Sequence, residues 1–552
     1  MHPMAASSSA FDKRVEEMTR AGLWGRRLVV DYLDEAARLK PDQAALTALN
    51  STLGQQTTLS YRQLKRLSER VALSLVAQGV APGDIVSCQL PNWWEMVALY
   101  LGCARIGVVL NPIMPIFRQR ELSYMLSFAE SVMMVVPRLF RGFDYPAMAA
   151  EVRAGLPKLK RVLVVGGEGE DSFAAAMLAR RFEDEPGAEA ILRERRPDPN
   201  APTELLYTSG TTGEPKGVLH SPNTLLAALR PFARRLGLSQ RDVILMASPM
   251  AHQTGFLYGL AMPVFLGARA VLQDVWSAEQ AAQLIQDEGV TFTMAATPFL
   301  MDLADSPAVE RYDVKPLAIF LTAGAPIPRA LVERASSRLG VKVISAWGMT
   351  ENGAVTTTRP LDPPEKTINT DGKPLAGSEV RVVDESGNVL PAGVEGRLQE
   401  RGACDFLGYL KRPDLDNRDA QGWFDTGDLA RIDADGYIRI TGRSKDIIIR
   451  GGENIPVVEV ENLLYQHPAI QDAAVVAMPD ARLGERACAF VTLRPGKELT
   501  FEELTRFLEE RHMARHYFPE RLEVLEQLPR TPSGKIQKFK LREAAHAFAA
   551  TR

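Results

Sequence analysis

Hydrophobic and polar positions along the chain alternate between two periods. From Tyr61 to Gln78 the apolar residues Leu64, Leu67, Val71, Leu73 and Leu75 fall close to the spacing of one helix face. Ile85 to Leu90 is a short apolar run and predicts a strand. Residues 20–200 read throughout as alternating helices and short strands, least regular over roughly 160–200. In the middle third, Glu204 to Tyr207 predicts a strand, followed by a Ser/Thr/Gly loop. Ser221-Pro222 then caps and opens a helix that carries Leu225, Leu226, Leu229, Phe232, Ala233 and Leu236. Val243 to Ala247, Val290 to Met294, Leu317 to Leu321 and Val341 to Ser345 predict further strands. Ser277-x-x-Gln280 predicts a capping box opening a helix to about Glu288. Strand–helix alternation of this kind predicts a mostly parallel sheet covered by helices. After about Glu379 the texture changes to short strands with Gly/Asp/Asn turns: Val380 to Val383, Gly396 to Glu400 and Tyr437 to Ile440. Beyond Arg443 a compact α+β unit is predicted, with helices at 457–466 and 501–511 and strands at 472–477, 487–493 and 521–525. The expected architecture is therefore α/β: a large N-terminal domain, 1–442, with a small β subdomain, and a small α+β domain, 443–552.

Composition narrows the function classes. The chain has 552 residues, too many for one core, since single cores rarely exceed ~300 residues. Lys plus Arg is 65 against 68 Asp plus Glu, for a net charge of −3, so no nucleic-acid partner is expected. Cys88, Cys103, Cys404 and Cys488 form no Cys-x-x-Cys pair, which argues against zinc or a dithiol motif and fits a reducing, cytoplasmic setting. The uncharged stretch Gln253 to Ala268 contains glycines and a proline and falls short of the ~20 residues of a membrane helix, so no membrane span is expected.

Chemistry concentrates in a few strings. Tyr207-Thr208-Ser209-Gly210-Thr211-Thr212-Gly213-Glu214-Pro215-Lys216-Gly217 brings glycines that let backbone approach a ligand, hydroxyls and amides that donate to phosphate oxygens, and a lysine charge. It lacks the Gly-x4-Gly-Lys-Ser/Thr spacing of a nucleotide P-loop. Thr322-Ala323-Gly324-Ala325-Pro326 and Ala346-Trp347-Gly348-Met349-Thr350-Glu351 each follow a predicted strand directly. Ligands of open α/β sheets sit beyond the carboxyl ends of strands, so these segments converge where a nucleotide could lie.

These strings resemble, in order, the motifs of the adenylate-forming superfamily: acyl-CoA synthetases, free-standing adenylation domains and beetle luciferases. Ala296-Thr297-Pro298-Phe299, Gly372 to Gly377 and Arg450 to Ile455 are further similar to strings of cyclohexanecarboxylate–CoA ligases and bacterial short-to-medium-chain acyl-CoA synthetases. The resemblance implies an ATP-dependent ligase that joins a carboxylic acid to AMP and then to coenzyme A. In such a ligase Thr208 to Gly213 and Lys216 would hold the triphosphate. Gly324, Ala325 and Pro326 would line the adenine, with Trp347 packed on its face where most relatives have Tyr, and Gly348 and Met349 alongside. Thr350 would bond a phosphate and Glu351 would bind Mg²⁺, which takes one or two carboxylates plus phosphates. His252, in Ser248-Pro249-Met250-Ala251-His252-Gln253-Thr254-Gly255, would stand at the edge of the acyl pocket. No acid lies between Ser248 and Gln273 to meet an ammonium, which favours an uncharged acyl group.

Asp428 in Trp423-Phe424-Asp425-Thr426-Gly427-Asp428 would accept both ribose hydroxyls, and Arg443 would add a ribose or phosphate contact. Lys445 matches the hinge about which the C-terminal domain turns. Gly451 and Gly452 would then let pantetheine pass close to the backbone. Lys535, in Pro529-Arg530-Thr531-Pro532-Ser533-Gly534-Lys535-Ile536, would neutralise charge on the α-phosphate and the attacked carboxylate. Lys538 and Lys540 read as solvated charges. The implied partners are a small carboxylic acid, ATP and CoA, with cyclohexanecarboxylate or a similar alicyclic acid expected ahead of linear acids. Related synthetases are silenced by acetylation of the lysine matching Lys535, so a lysine acetyltransferase and deacetylase are implied as well. The expected state is a monomer or homodimer.

Overall fold

The computed structural model describes residues 9–208, 215–323, 327, 329–443, 448–450, 453–480, 483–511, 513, 515–531 and 534–549. Among these, the first sheet has nine strands, and its inner strands Lys342–Met349, Ile319–Ala323, Phe292–Ala295, Val243–Met246, Arg269–Leu272 and Ala44–Asn50 run parallel. Antiparallel strands close both edges: Gln55–Ser60 on one side, Gly353–Thr357 and Lys373–Pro374 on the other. A second sheet of seven strands is parallel from Arg161–Val165 through Met133–Pro137, Ile85–Cys88 and Val109–Pro112 to Glu204–Thr208. It ends in two antiparallel strands, Lys216–His220 and Gly408–Tyr409.

The helical periodicity of Tyr61 to Gln78 corresponds to the helix Tyr61–Ala77, whose Ser60 cap and Gln63 exchange both capping bonds. Its apolar face buries Leu64, Val71, Ala72 and Leu75 in the core shared by the two sheets. Ser221 caps the helix Pro222–Leu236 as its Ser-Pro pair predicts. Ser277 caps the helix Ala278–Glu288, but the return bond of a capping box is not made: Gln280 Oε1 instead accepts from Gln273 Nε2 at 2.9 Å.

Among the strands not predicted from the sequence are Lys216–His220, Gly353–Thr357, Arg269–Leu272 and Phe424–Ile432. Lys216–His220 directly follows a Ser/Thr/Gly string whose turn signals mask it. The strand expected at Val341 to Ser345 runs on to Met349, because Gly353–Thr357 folds back and pairs with it. Ala346-Trp347-Gly348-Met349 is therefore strand and not a loop. Gly348 is what allows this pairing, since a Cβ there would lie 1.7 Å from the Gly353 carbonyl oxygen.

The β subdomain is a four-stranded antiparallel sheet of Ser378–Val383, Gly396–Gly402, Phe424–Ile432 and Ile438–Arg443. The C-terminal unit has a five-stranded sheet in which Gly484–Leu493 lies between Ile448–Arg450 and Ile470–Asp480 and also pairs with Arg521–Val524. Helices Val457–Leu464, Phe501–Glu510 and Lys538–Ala549 accompany it. The stretch Gln253 to Ala268 is a buried π-helical and α-helical segment, and no helix among the described residues is long and apolar enough to cross a membrane.

Candidate active site

A cleft of about 1610 Å³ opens where the first sheet, the β subdomain and the C-terminal unit meet. Thr208, Trp347, Gly348, Asp428, Arg443 and Lys535 all line it. Six residues predicted from five separate strings thus share one space, although Thr208 and Lys535 lie over three hundred positions apart in the chain. Ser209 to Gly213, Gly324 to Pro326, Lys445, Gly451 and Gly452 lie outside the described residues.

The Thr208–Lys216 stretch joins two antiparallel strands, with Thr208 and Lys216 paired. The Lys216 ammonium lies 4.9 Å from the centre of the Tyr409 ring, a cation–π distance. The Tyr409 hydroxyl in turn donates to Glu351 Oε1 at 2.8 Å. Glu351 is buried. Burial raises its pKa above the usual carboxylate value, while the Tyr409 bond and the charges of Lys216 and Arg443 act the other way. Its second oxygen is not engaged by Tyr409. A single carboxylate with one oxygen held by Tyr409 fits a magnesium ion that takes its remaining ligands from phosphates.

The segment carrying Thr350 and Glu351 is tied down from three sides. His220 Nε2 faces the Thr350 carbonyl at 2.8 Å, so that nitrogen bears the proton and donates. Met349 N donates to Asn352 Oδ1 at 2.8 Å, and Asn352 Nδ2 donates to the buried Glu400 at 2.9 Å. Phe406 N donates to the Glu351 carbonyl at 2.7 Å. His220 is buried and held neutral, its pKa pushed down to about 4 by desolvation.

His252 is half-buried and is not among the residues lining the cleft, with Nδ1 accepting from Thr254 N at 3.3 Å. Burial first, and then the nearby Lys535 charge, push its pKa down to about 4. It is a neutral imidazole at neutral pH. The loop that carries it is bolted by Asn92, whose amide donates to the Ser248 carbonyl at 2.9 Å and accepts from Met250 N at 2.8 Å.

Lys535 reaches the cleft on a tight turn of the C-terminal unit. Thr531 N donates to the Lys535 carbonyl at 2.7 Å, Lys535 N donates to Thr531 Oγ1 at 3.0 Å, and Arg530 donates to the Gly534 carbonyl at 2.5 Å. Arg530 is itself paired with Asp472 at 2.5 Å. Gly534 turns with φ +84°, and a Cβ on it would stand 3.6 to 3.7 Å from Ala296, Phe299 and Pro298, so the turn rests on that segment of the main body. Lys538 is not a solvated charge: it pairs with the buried Glu461 carboxylate at 2.7 Å, because an unpaired acid there would be costly.

Asp428 is buried and held on both oxygens, by Trp347 Nε1 at 2.8 Å and by Arg443 Nε at 3.0 Å. The sequence pointed to all three residues but not to the bonds among them. Tyr409, His220, Asn352 and Asn92 were missed altogether. Their partners lie tens to over a hundred positions away, and only the strand pairings bring them together.

A main body whose hairpin, parallel strand ends and β subdomain converge on one cleft, closed by a lysine-bearing C-terminal unit, defines a nucleotide-activating α/β enzyme. The sequence profile of the AMP-binding enzyme family matches residues 33–410, and that of the AMP-binding enzyme C-terminal domain matches residues 459–535. The chain belongs to the AMP-binding enzyme family. It is 38% identical over 539 residues to a medium-chain fatty-acid–CoA ligase of Escherichia coli K12, covering 96% of this chain and 93% of the relative. It is 34% identical to a 2,3-dihydroxybenzoate–AMP ligase of Bacillus subtilis, covering 97% and 96%. Among solved structures, an anthranilate CoA ligase, AuaEII, in complex with anthranoyl-AMP superposes with a TM-score of 0.83 at 27% identity, covering 95% of this chain and 98% of that one.

Proposed function

We propose that the chain is an AMP-forming carboxylate–CoA ligase acting on a modest hydrophobic acid whose acyl group carries no further charge, with cyclohexanecarboxylate or a similar alicyclic acid as substrate. The observation that carries this reading is that Lys535 of the C-terminal unit lines the same cleft as Trp347, Asp428 and Arg443. On this reading Lys535 would serve as the cation shared by the nucleotide and the attacking carboxylate.

In the first half-reaction the acid's carboxylate attacks the α-phosphorus of ATP and pyrophosphate leaves. Lys535 stabilises the charge shared by the entering carboxylate and the α-phosphate, while Lys216 and the hairpin amides hold the departing phosphates. Glu351, with Thr350 beside it, would hold Mg²⁺, which supplies charge neutralisation on the phosphates when bound. His252 stays neutral and walls the acyl site without trapping a proton. In the second half-reaction the C-terminal unit turns about Lys445, withdrawing Lys535 and bringing Gly451 and Gly452 to the cleft. The CoA sulfur attacks the acyl carbonyl, forming the thioester and expelling AMP. Acetylation of Lys535 by a lysine acetyltransferase would abolish the first half-reaction, and a deacetylase would restore it.

A second substrate class is favoured by the 38% identity to the medium-chain fatty-acid–CoA ligase. AMP release with ATP, Mg²⁺ and CoA on cyclohexanecarboxylate, benzoate and linear C4 to C10 acids decides between them. Preference for the ring acid supports the proposal, and preference for linear acids replaces its substrate while keeping the chemistry. Acyl-AMP that forms but is not consumed by CoA would point to a carrier-protein thiol.

A further inference from the structure

Trp347 does more than offer a ring. It stands on the strand Lys342–Met349 of the first sheet, yet its indole N–H crosses to Asp428 on the strand Phe424–Ile432 of the β subdomain at 2.8 Å. The other Asp428 oxygen takes Arg443 Nε at 3.0 Å, from the residue paired with Asp428 across the sheet. The indole itself is packed among Val355, Val382, Leu398 and Ile438, so its donor has little freedom to swing away. The Asp428 side chain is 4% exposed, which leaves water almost no part in orienting it. A carboxylate offers about four acceptor directions, so one bond to each oxygen still leaves each free for one hydroxyl.

From this geometry we infer that Trp347 is the positioning residue for Asp428, fixing both carboxylate oxygens toward the two hydroxyls of a nucleotide ribose, so that ribose discrimination is set jointly by the indole and the carboxylate. The inference rests on the nucleotide reading above and deepens it. A ring that only stacked would act on any adenine nucleotide alike. A ring that also holds the carboxylate makes ATP binding and the rejection of deoxy-nucleotides depend on the same N–H.

The test is a double-mutant cycle read by calorimetric titration of Mg²⁺ and ATP, without carboxylic acid so that nothing turns over. Trp347→Phe keeps an aromatic face and removes the donor. A hydrogen bond to a charged group predicts that ATP binding weakens about ten- to a hundredfold. In the Asp428→Ala background the same change should cost no more than about twofold, because the coupling has already gone. The preference of the unsubstituted protein for ATP over 2′-deoxyATP and 3′-deoxyATP should collapse in Trp347→Phe. Equal losses in both backgrounds, or an unchanged preference, would overturn the inference and leave the nucleotide site standing. An unsubstituted protein that binds no ATP would overturn the reading beneath it. A readout that spares Trp347 guards against misfolding: among the six indole N–H resonances, one should shift and exchange faster in Asp428→Ala, and six unmoved resonances would refute the bond.

Discussion

His220 makes a sharp prediction about acid stability. It is buried and neutral, with Nε2–H committed to the Thr350 carbonyl and Nδ1 3.0 Å from Thr224 Oγ1. Its folded pKa is about 4 against an ordinary 6.5. A base whose folded pKa is depressed costs nothing above the unfolded value, because neither state then holds the proton. As pH falls through about 6.5 the unfolded chain takes up a proton that the folded chain refuses, and stability drops until about pH 4, where both are charged. Worked through, the loss is roughly 2 kcal/mol at pH 5 and about 3 kcal/mol at pH 4 relative to pH 7. His220→Gln keeps an N–H for the Thr350 carbonyl and cannot titrate. The urea midpoint of the main-body transition, followed by tryptophan fluorescence at pH 7 and pH 5, should fall further in the parent than in His220→Gln by an amount worth about 2 kcal/mol. Comparing the two proteins cancels His252, whose pKa is also near 4. Identical falls in both would refute the reasoning and mean that His220 is solvated or already protonated in the folded state.

Three further outcomes follow from the site. Lys535→Gln should lower pyrophosphate release by about 10²- to 10³-fold, while thioester formation from supplied acyl-AMP changes little; equal loss in both half-reactions would remove Lys535 from its assigned step. Tyr409→Phe removes the hydroxyl that holds Glu351 Oε1 at 2.8 Å. At about 1.5–3 kcal/mol for a bond to a charged acceptor, kcat/KM for Mg²⁺ and ATP should fall roughly ten- to a hundredfold, with the apparent KM of the acid nearly unchanged. Gly348→Ala would place a methyl group 1.7 Å from the Gly353 oxygen, inside backbone that cannot yield. Destabilisation on the order of 4 kcal/mol or more is expected, read as loss of soluble protein or a lowered Tm.

The sequence revealed what is local and hid what is distant. The helix Tyr61–Ala77 was readable because its periodicity acts within four residues. The residues of the cleft were readable because phosphate binding, metal binding and charge stabilisation each demand particular residue types in short runs. The hairpin strand Lys216–His220 was not, because five residues directly after a Ser/Thr/Gly string carry too short a period to stand out, and its second partner, Gly408–Tyr409, lies nearly two hundred positions away. The same pairing hid Tyr409. It reads locally as an aromatic after a glycine, and becomes a link between Lys216 and Glu351 only once the strand is laid beside Val218. Lys538 shows the converse error. A lysine two residues before another lysine reads as solvated charge, yet the fold sets it against Glu461, whose Oε1 also accepts from Val475 N at 2.7 Å inside the C-terminal unit. The chemistry-bearing side chains were thus visible one at a time, whereas the bonds that aim them join strands far apart in the chain. Trp347 is where the two kinds of information meet: its place in a motif marks it for the nucleotide, and only the crossing of its indole to Asp428 gives that placement a consequence that a tyrosine or phenylalanine ring need not share.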